Sequence, residues 1–80
     1  MMQRIKFQGT QYILVGGAIT TEERYKSGTV SFAHLGDDGI IRRYHEEIGT
    51  KADLEFLGEI EDVSPTPEGI ANMLSGRSWF

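Results

Sequence analysis

Apolar side chains recur at every second position through the middle of the chain. Val30, Phe32, Ile40, Tyr44 and Ile48 share one parity, and Leu54, Phe56 and Ile60 keep it. Period two is the mark of a half-buried strand. Glycines at 9, 16, 17, 28, 36, 39 and 49 punctuate runs rich in Val, Ile, Thr, Tyr and Phe. These runs read as strands at about 3–7, 11–16, 18–25, 29–36, 40–48 and 52–61. The predicted fold class is α+β: an antiparallel meander sheet of about five strands, open or curled into a small barrel, with one short C-terminal helix.

The turn residues set a register. Asp37, Asp38 and Gly39 suit a three-residue hairpin loop, a type I turn closed by glycine in the left-handed region. Such a loop opposes Gly36 to Ile40, and Phe32 to Tyr44. Gly49, Thr50 and Lys51 suit a second loop opposing Ile48 to Ala52, which sets Tyr44 beside Phe56 and Ile40 beside Ile60. Both turns select the even-numbered face as the core, so Phe56→Ala is expected to cost roughly 3–5 kcal/mol. Asp53, Glu55, Glu59 and Glu61 point away from that face. Ser27 and Gly28 fit a two-residue loop before the meander, and Gly16 and Gly17 fit a bulge or sharp bend.

The period changes after residue 62. Thr66 is a suitable N-cap, Pro67 suits the first helical position, and Glu68 favours the positive end of the helix dipole. Ile70, Met73 and Leu74 form one apolar stripe. So short a helix must dock, and the sheet is the expected surface. Trp79 and Phe80 follow directly. Two large aromatics there are expected to be buried, on the sheet or across an interface.

Composition narrows the classes. The chain has 80 residues, which makes one domain spanning 1–80. It has no cysteine, so disulfides and thiolate metal sites are excluded. Its net charge is −4, spread along the chain, which speaks against a nucleic-acid partner. No apolar run spans a bilayer and no export signal is visible, so a cytoplasmic protein without membrane contact is expected. A small core without covalent staples is often supplemented by self-association, so a homo-oligomer is expected, with a protein partner as a further option.

Candidate chemistry concentrates between residues 34 and 47. The register puts His34 and His45 on opposite faces of the hairpin, so they form neither a joint metal site nor an acid–base pair. His34 lies next to Arg42. Arg43 and His45 share the outer face, where they could hold a phosphate or carboxylate. Leu35 opposite Ile41 puts an apolar pair on that same outer face, a second packing surface. No serine lies in a nucleophile elbow, no metal-ligand spacing occurs, and no cofactor motif is present. The residues expected to bind a partner or ligand are therefore Leu35, Ile41, Arg43, His45, Trp79 and Phe80, with no catalytic or metal residues. The expected function is a small non-enzymatic binding module that self-associates. Two alternatives stand beside it: a small-molecule barrel lined by Phe32, Tyr44, Phe56 and His34, and an acidic inhibitor or adaptor of a nucleic-acid enzyme from a mobile element. In the last, Glu55, Glu59 and Glu61 on one strand face would imitate phosphates.

Overall fold

A computed structural model describes residues 2–75. Seven strands form one antiparallel sheet: β1 (Met2–Phe7), β2 (Thr10–Val15), β3 (Ala18–Thr20), β4 (Ala33–Leu35), β5 (Ile40–Arg43), β6 (Glu46–Thr50) and β7 (Leu54–Ile60). Two short helices accompany it, α1 (Glu22–Ser27) and α2 (Pro67–Leu74), with a single 3₁₀ turn at Lys51–Asp53. The strand order is β6-β5-β4-β3-β2-β1-β7.

That order dictates the shape. β6 and β7 are opposite edges of the sheet, yet only the Lys51–Asp53 turn joins them. Seven strands laid flat would separate the edges by about 29 Å. Four peptide steps span at most about 14 Å. The sheet must therefore curl, and it forms a half-barrel. Its concave side holds the core: Ile5, Phe7, Ile19, Ala33, Ile41 and Leu54, with Tyr12, Leu14, Phe32, Leu35 and Ile48 packed against them. A Cβ added at Gly49 on β6 would come within 3.0 Å of the Phe7 ring on β1. The ring thus bridges the half-barrel to its far edge.

The convex side is covered in part. Arg4 of β1 pairs with Glu22 of α1 at 3.2 Å, and the Val63 amide donates to Met2 Sδ at 3.2 Å. Thr21 caps α1 by accepting from the Arg24 amide, and Gly28 ends it with φ 70°. The Thr66 hydroxyl caps α2 in the same way through the Gly69 amide, with Pro67 inside the first turn, as its sequence implies.

The Asp37–Asp38–Gly39 loop has the expected form. The Gly36 amide bonds the Ile40 carbonyl at 3.0 Å, Gly39 has φ 80°, and His34 pairs with Arg42. Three expectations are corrected. Residues 22–27 are helical rather than part of a strand, so Ser27 and Gly28 do not close a hairpin. Gly16 and Gly17, both at positive φ, do make the sharp bend expected between two strand segments, as a tight turn from β2 to β3. The strand expected over 40–48 breaks at Tyr44 and His45, which reverse the chain into β6. β7 consequently pairs with β1, and Phe56 lies opposite Ile5 rather than Tyr44.

The buried face of the β4–β5 hairpin is the odd-numbered one. Leu35 does oppose Ile41, but Ile41 is fully buried in the core, while Val30, Tyr44 and Phe56 are 48, 79 and 46% exposed. The pair therefore supplies core rather than an outer packing surface. A bulge in β7 breaks the acidic row as well. Glu55 opposes Lys6 and Glu59 opposes Gln3, residues of opposite parity on β1, so these two acids face opposite sides of the sheet. The strand count is seven, more than the sequence pattern suggests.

Candidate functional site

Three hairpins in this chain turn on two residues at positive φ: Gln8 with Gly9, Gly16 with Gly17, and Tyr44 with His45. Two left-handed residues are what a type I′ turn demands, because its twist matches that of the strands. The second turn is all glycine, for which that region is accessible without strain, and the first places one glycine after Gln8 at φ 51°. The third uses none: Tyr44 sits at φ 53° and His45 at φ 68°. Holding a non-glycine residue there costs on the order of 1–3 kcal/mol. Burial does not offset it, since the Tyr44 side chain is mostly exposed.

The side chains around this turn form a stack. The Tyr12 and Phe32 rings lie parallel, with centroids 4.9 Å apart and 17° between planes. The Arg43 guanidinium lies 4.7 Å from the Phe32 centroid and 5.1 Å from that of Tyr44. Each cation–ring contact contributes roughly 0.5–1 kcal/mol at an exposed site. Tyr12 and Phe32 pack against the core, so the stack runs from the barrel interior to solvent. Among the described residues no carboxylate pairs with Arg43.

Beside the stack an open cleft of about 470 Å³ lies between residues 30–34 and residues 42–45. It forms because the ladder between β4 and β5 ends at His34 and Arg42, and the chain beyond turns away at Tyr44. Its lining carries Arg42, Arg43, His34 and His45 and no acidic side chain. His34 and His45, expected on opposite faces, thus reach the same cleft. No group of three or more His, Cys, Asp or Glu side chains among the described residues is arranged to hold a metal ion.

Arg42 is already committed. It bonds Asp38 at 2.8 and 3.3 Å and approaches Glu47 at 3.8 Å. The guanidinium, together with the Ile40 amide at 3.1 Å, holds the Asp38 carboxyl below its ordinary pKa. A carboxyl depressed in the folded state contributes stability that is present above its unfolded pKa and lost as pH falls through the folded value. Asp38→Asn is therefore less stable than the parent at neutral pH, by a small margin because the pair is exposed. That margin closes below roughly pH 4. Denaturant midpoints across pH 2–7 read it; a constant margin would mean that charge plays no part.

Of the residues singled out by sequence, Arg43 and His45 line the cleft. Leu35 and Ile41 are in or against the core, and Trp79 and Phe80 lie outside the described residues. Sequence patterns do not reveal Tyr44 as a turn residue or Phe32 as a stacking partner of Arg43. Of the pocket expected for a small molecule, Phe32, Tyr44 and His34 do meet. Phe56 lies instead in a separate depression with Gln3, Lys51, Gly58 and Glu59. No protein-family model, curated protein or solved structure matches the chain. No helix among the described residues is long and apolar enough to cross a membrane.

Proposed function

We propose that this chain is a small non-enzymatic binding module that acts through the cleft between residues 30–34 and 42–45. The observation that carries this reading is the Phe32–Arg43–Tyr44 stack, presented on a turn whose backbone is strained. Folding alone would favour Asn-Gly at positions 44 and 45. A tyrosine and a histidine held there at a cost, with the tyrosine ring in solvent, are retained for contact rather than for folding.

The test replaces the turn by its least strained version. Tyr44→Asn with His45→Gly relieves the strain and removes the outer ring of the stack. The double variant is expected to raise stability by about 1–2 kcal/mol after loss of one cation–ring contact. Isotope-labelled protein is then titrated with small aromatic, anionic and cationic probes. In the parent, amide shifts gather at residues 30–34 and 42–45, and in the double variant they vanish. Shifts scattered over the molecule, or unchanged in the variant, overturn the reading.

Self-association is a second reading, favoured by α2. Its Ile70 and Leu74 are 46 and 82% exposed on one stripe. Sedimentation compares the parent with an Ile70→Glu, Leu74→Glu double variant. Assembly of the parent alone supports this reading, and a monomeric parent removes it.

A further inference from the structure

We infer that the cleft takes a small ligand combining a flat aromatic ring with a phosphate or carboxylate group. This rests on the cleft being the binding site, and it adds the chemistry of the occupant. The starting point is the surroundings of Arg43. Its guanidinium has a ring at 4.7 Å and another at 5.1 Å. A guanidinium set over aromatic rings still carries N–H donors, in the fork geometry that matches phosphate and carboxylate. Arg42 gives one donor from each terminal nitrogen to Asp38 and faces Glu47, but Arg43 pairs with no carboxylate among the described residues. In a chain of net charge −4, the cleft lining contains cationic and neutral side chains only. A site of this sign draws anions despite the overall balance.

The second half of the ligand follows from the surfaces beside those donors. Tyr44, 79% exposed, shows an aromatic surface to solvent, and Val30, 48% exposed, supplies an apolar wall. A flat ring stacks on such a surface and gains contact that an inorganic anion cannot make. The volume of about 470 Å³ lies within the range of sites that hold small molecules. The cleft is open, so affinity depends on both halves of the ligand together.

The experiment titrates the isotope-labelled full chain with paired probes. Adenosine monophosphate is compared with adenosine and with inorganic phosphate, and indole-3-carboxylate with indole. Each two-part probe is expected to bind at the amides of residues 30–34 and 42–45 about tenfold more tightly than either of its parts, the difference one charge-assisted contact makes. A gain of either anionic probe over its neutral counterpart supports the class. Arg43→Lys keeps the charge but loses the planar fork, and it weakens both probes about tenfold while amides outside the cleft stay in place. If adenosine and indole bind as well as their anionic counterparts, the ligand class is wrong although the cleft remains the site. If no probe shifts the cleft amides, the cleft reading falls with it. A short single-stranded oligonucleotide binding more than tenfold tighter than the mononucleotide overturns the small-ligand assignment.

Discussion

Phe7→Ala is expected to remove roughly 3–5 kcal/mol, a large share of the stability of this protein. Phe7 is among the largest fully buried side chains, and its ring reaches from β1 to the Gly49 backbone on the far edge of the half-barrel. Removing it loses the transfer energy of the ring and opens a cavity, together roughly 3–5 kcal/mol. A domain of this size is stable by only about 4–12 kcal/mol. The curl makes the loss worse, because one ring contacts strands that a flat sheet would hold far apart. The complementary change is Gly49→Ala. Its Cβ would sit 3.0 and 3.1 Å from Phe7 ring carbons and 2.9 Å from an Asp53 carboxylate oxygen. Overpacking of this kind costs about 1–3 kcal/mol. Phe7→Leu with Gly49→Ala should then cost less than the two single changes added together, since the smaller side chain makes room for the methyl. Urea midpoints of the parent and these variants read the comparison. Strict additivity, or a Phe7→Ala loss under about 1 kcal/mol, would mean that this contact does not hold the curl.

What is legible in the sequence depends on which residues carry a mechanism. Asp37, Asp38 and Gly39 specify their loop by local chemistry alone, so the β4–β5 register can be read from those residues and their neighbours. The buried face cannot. Val30, Phe32, Ile40 and Tyr44 at even positions outnumber Leu35 and Ile41 at odd ones, so parity counted from large apolar and aromatic side chains favours the wrong side. The curl decides it, a tertiary fact set by the pairing of β7 with β1. Helix α1 escapes for the opposite reason. Thr21 as N-cap, Glu22 and Glu23 in the first turn and Gly28 as C-cap spell out a helix. With no buried residue, however, it has no apolar stripe for a periodicity search to find.

The site is half legible, for a related cause. Arg43 and His45 stand out as polar residues with no obvious structural task, and both line the cleft. Tyr44 does not, because rules for turns look for Gly, Asn and Asp, and a Tyr-His turn violates them. Local rules fail most often at functional or strained positions, which is the ground on which the binding site is proposed at this turn. The stack is out of reach for the same reason: Arg43 meets Phe32 only if the strand ends at residue 43 and the chain turns back.

Gly69→Ala carries the second large effect, and its sign separates propensity from packing. In an exposed helix the change from glycine to alanine stabilises by about 1 kcal/mol. Here Gly69 is buried in the first turn of α2, and an added Cβ would overlap the Lys26 carbonyl oxygen. Gly28 is equally confined, with φ 70° and its own Cβ position against the Gly69 carbonyl. Both obstructions are backbone, so no side chain can rotate away. α2 would have to retreat, and with it three hydrogen bonds to the end of α1. The Thr66 amide and hydroxyl each reach the Lys26 carbonyl at 3.0 Å, and the Asn72 amide group reaches the Ser27 carbonyl at 2.7 Å. Those carbonyls are the acceptors that a helix C-terminus leaves unsatisfied, so their loss exposes two orphans at once. Steric overlap and lost bonds together are expected to cost about 2–4 kcal/mol. Leu74→Ala, at the 82% exposed end of the apolar stripe, should by contrast stay within about 0.5 kcal/mol. Chemical denaturation gives both values, and hydrogen exchange over residues 67–74 shows whether α2 detaches alone or brings the sheet with it. A neutral or stabilising Gly69→Ala would show that the two helices do not meet through their glycines. A costly Leu74→Ala would return the docking of α2 to its apolar stripe.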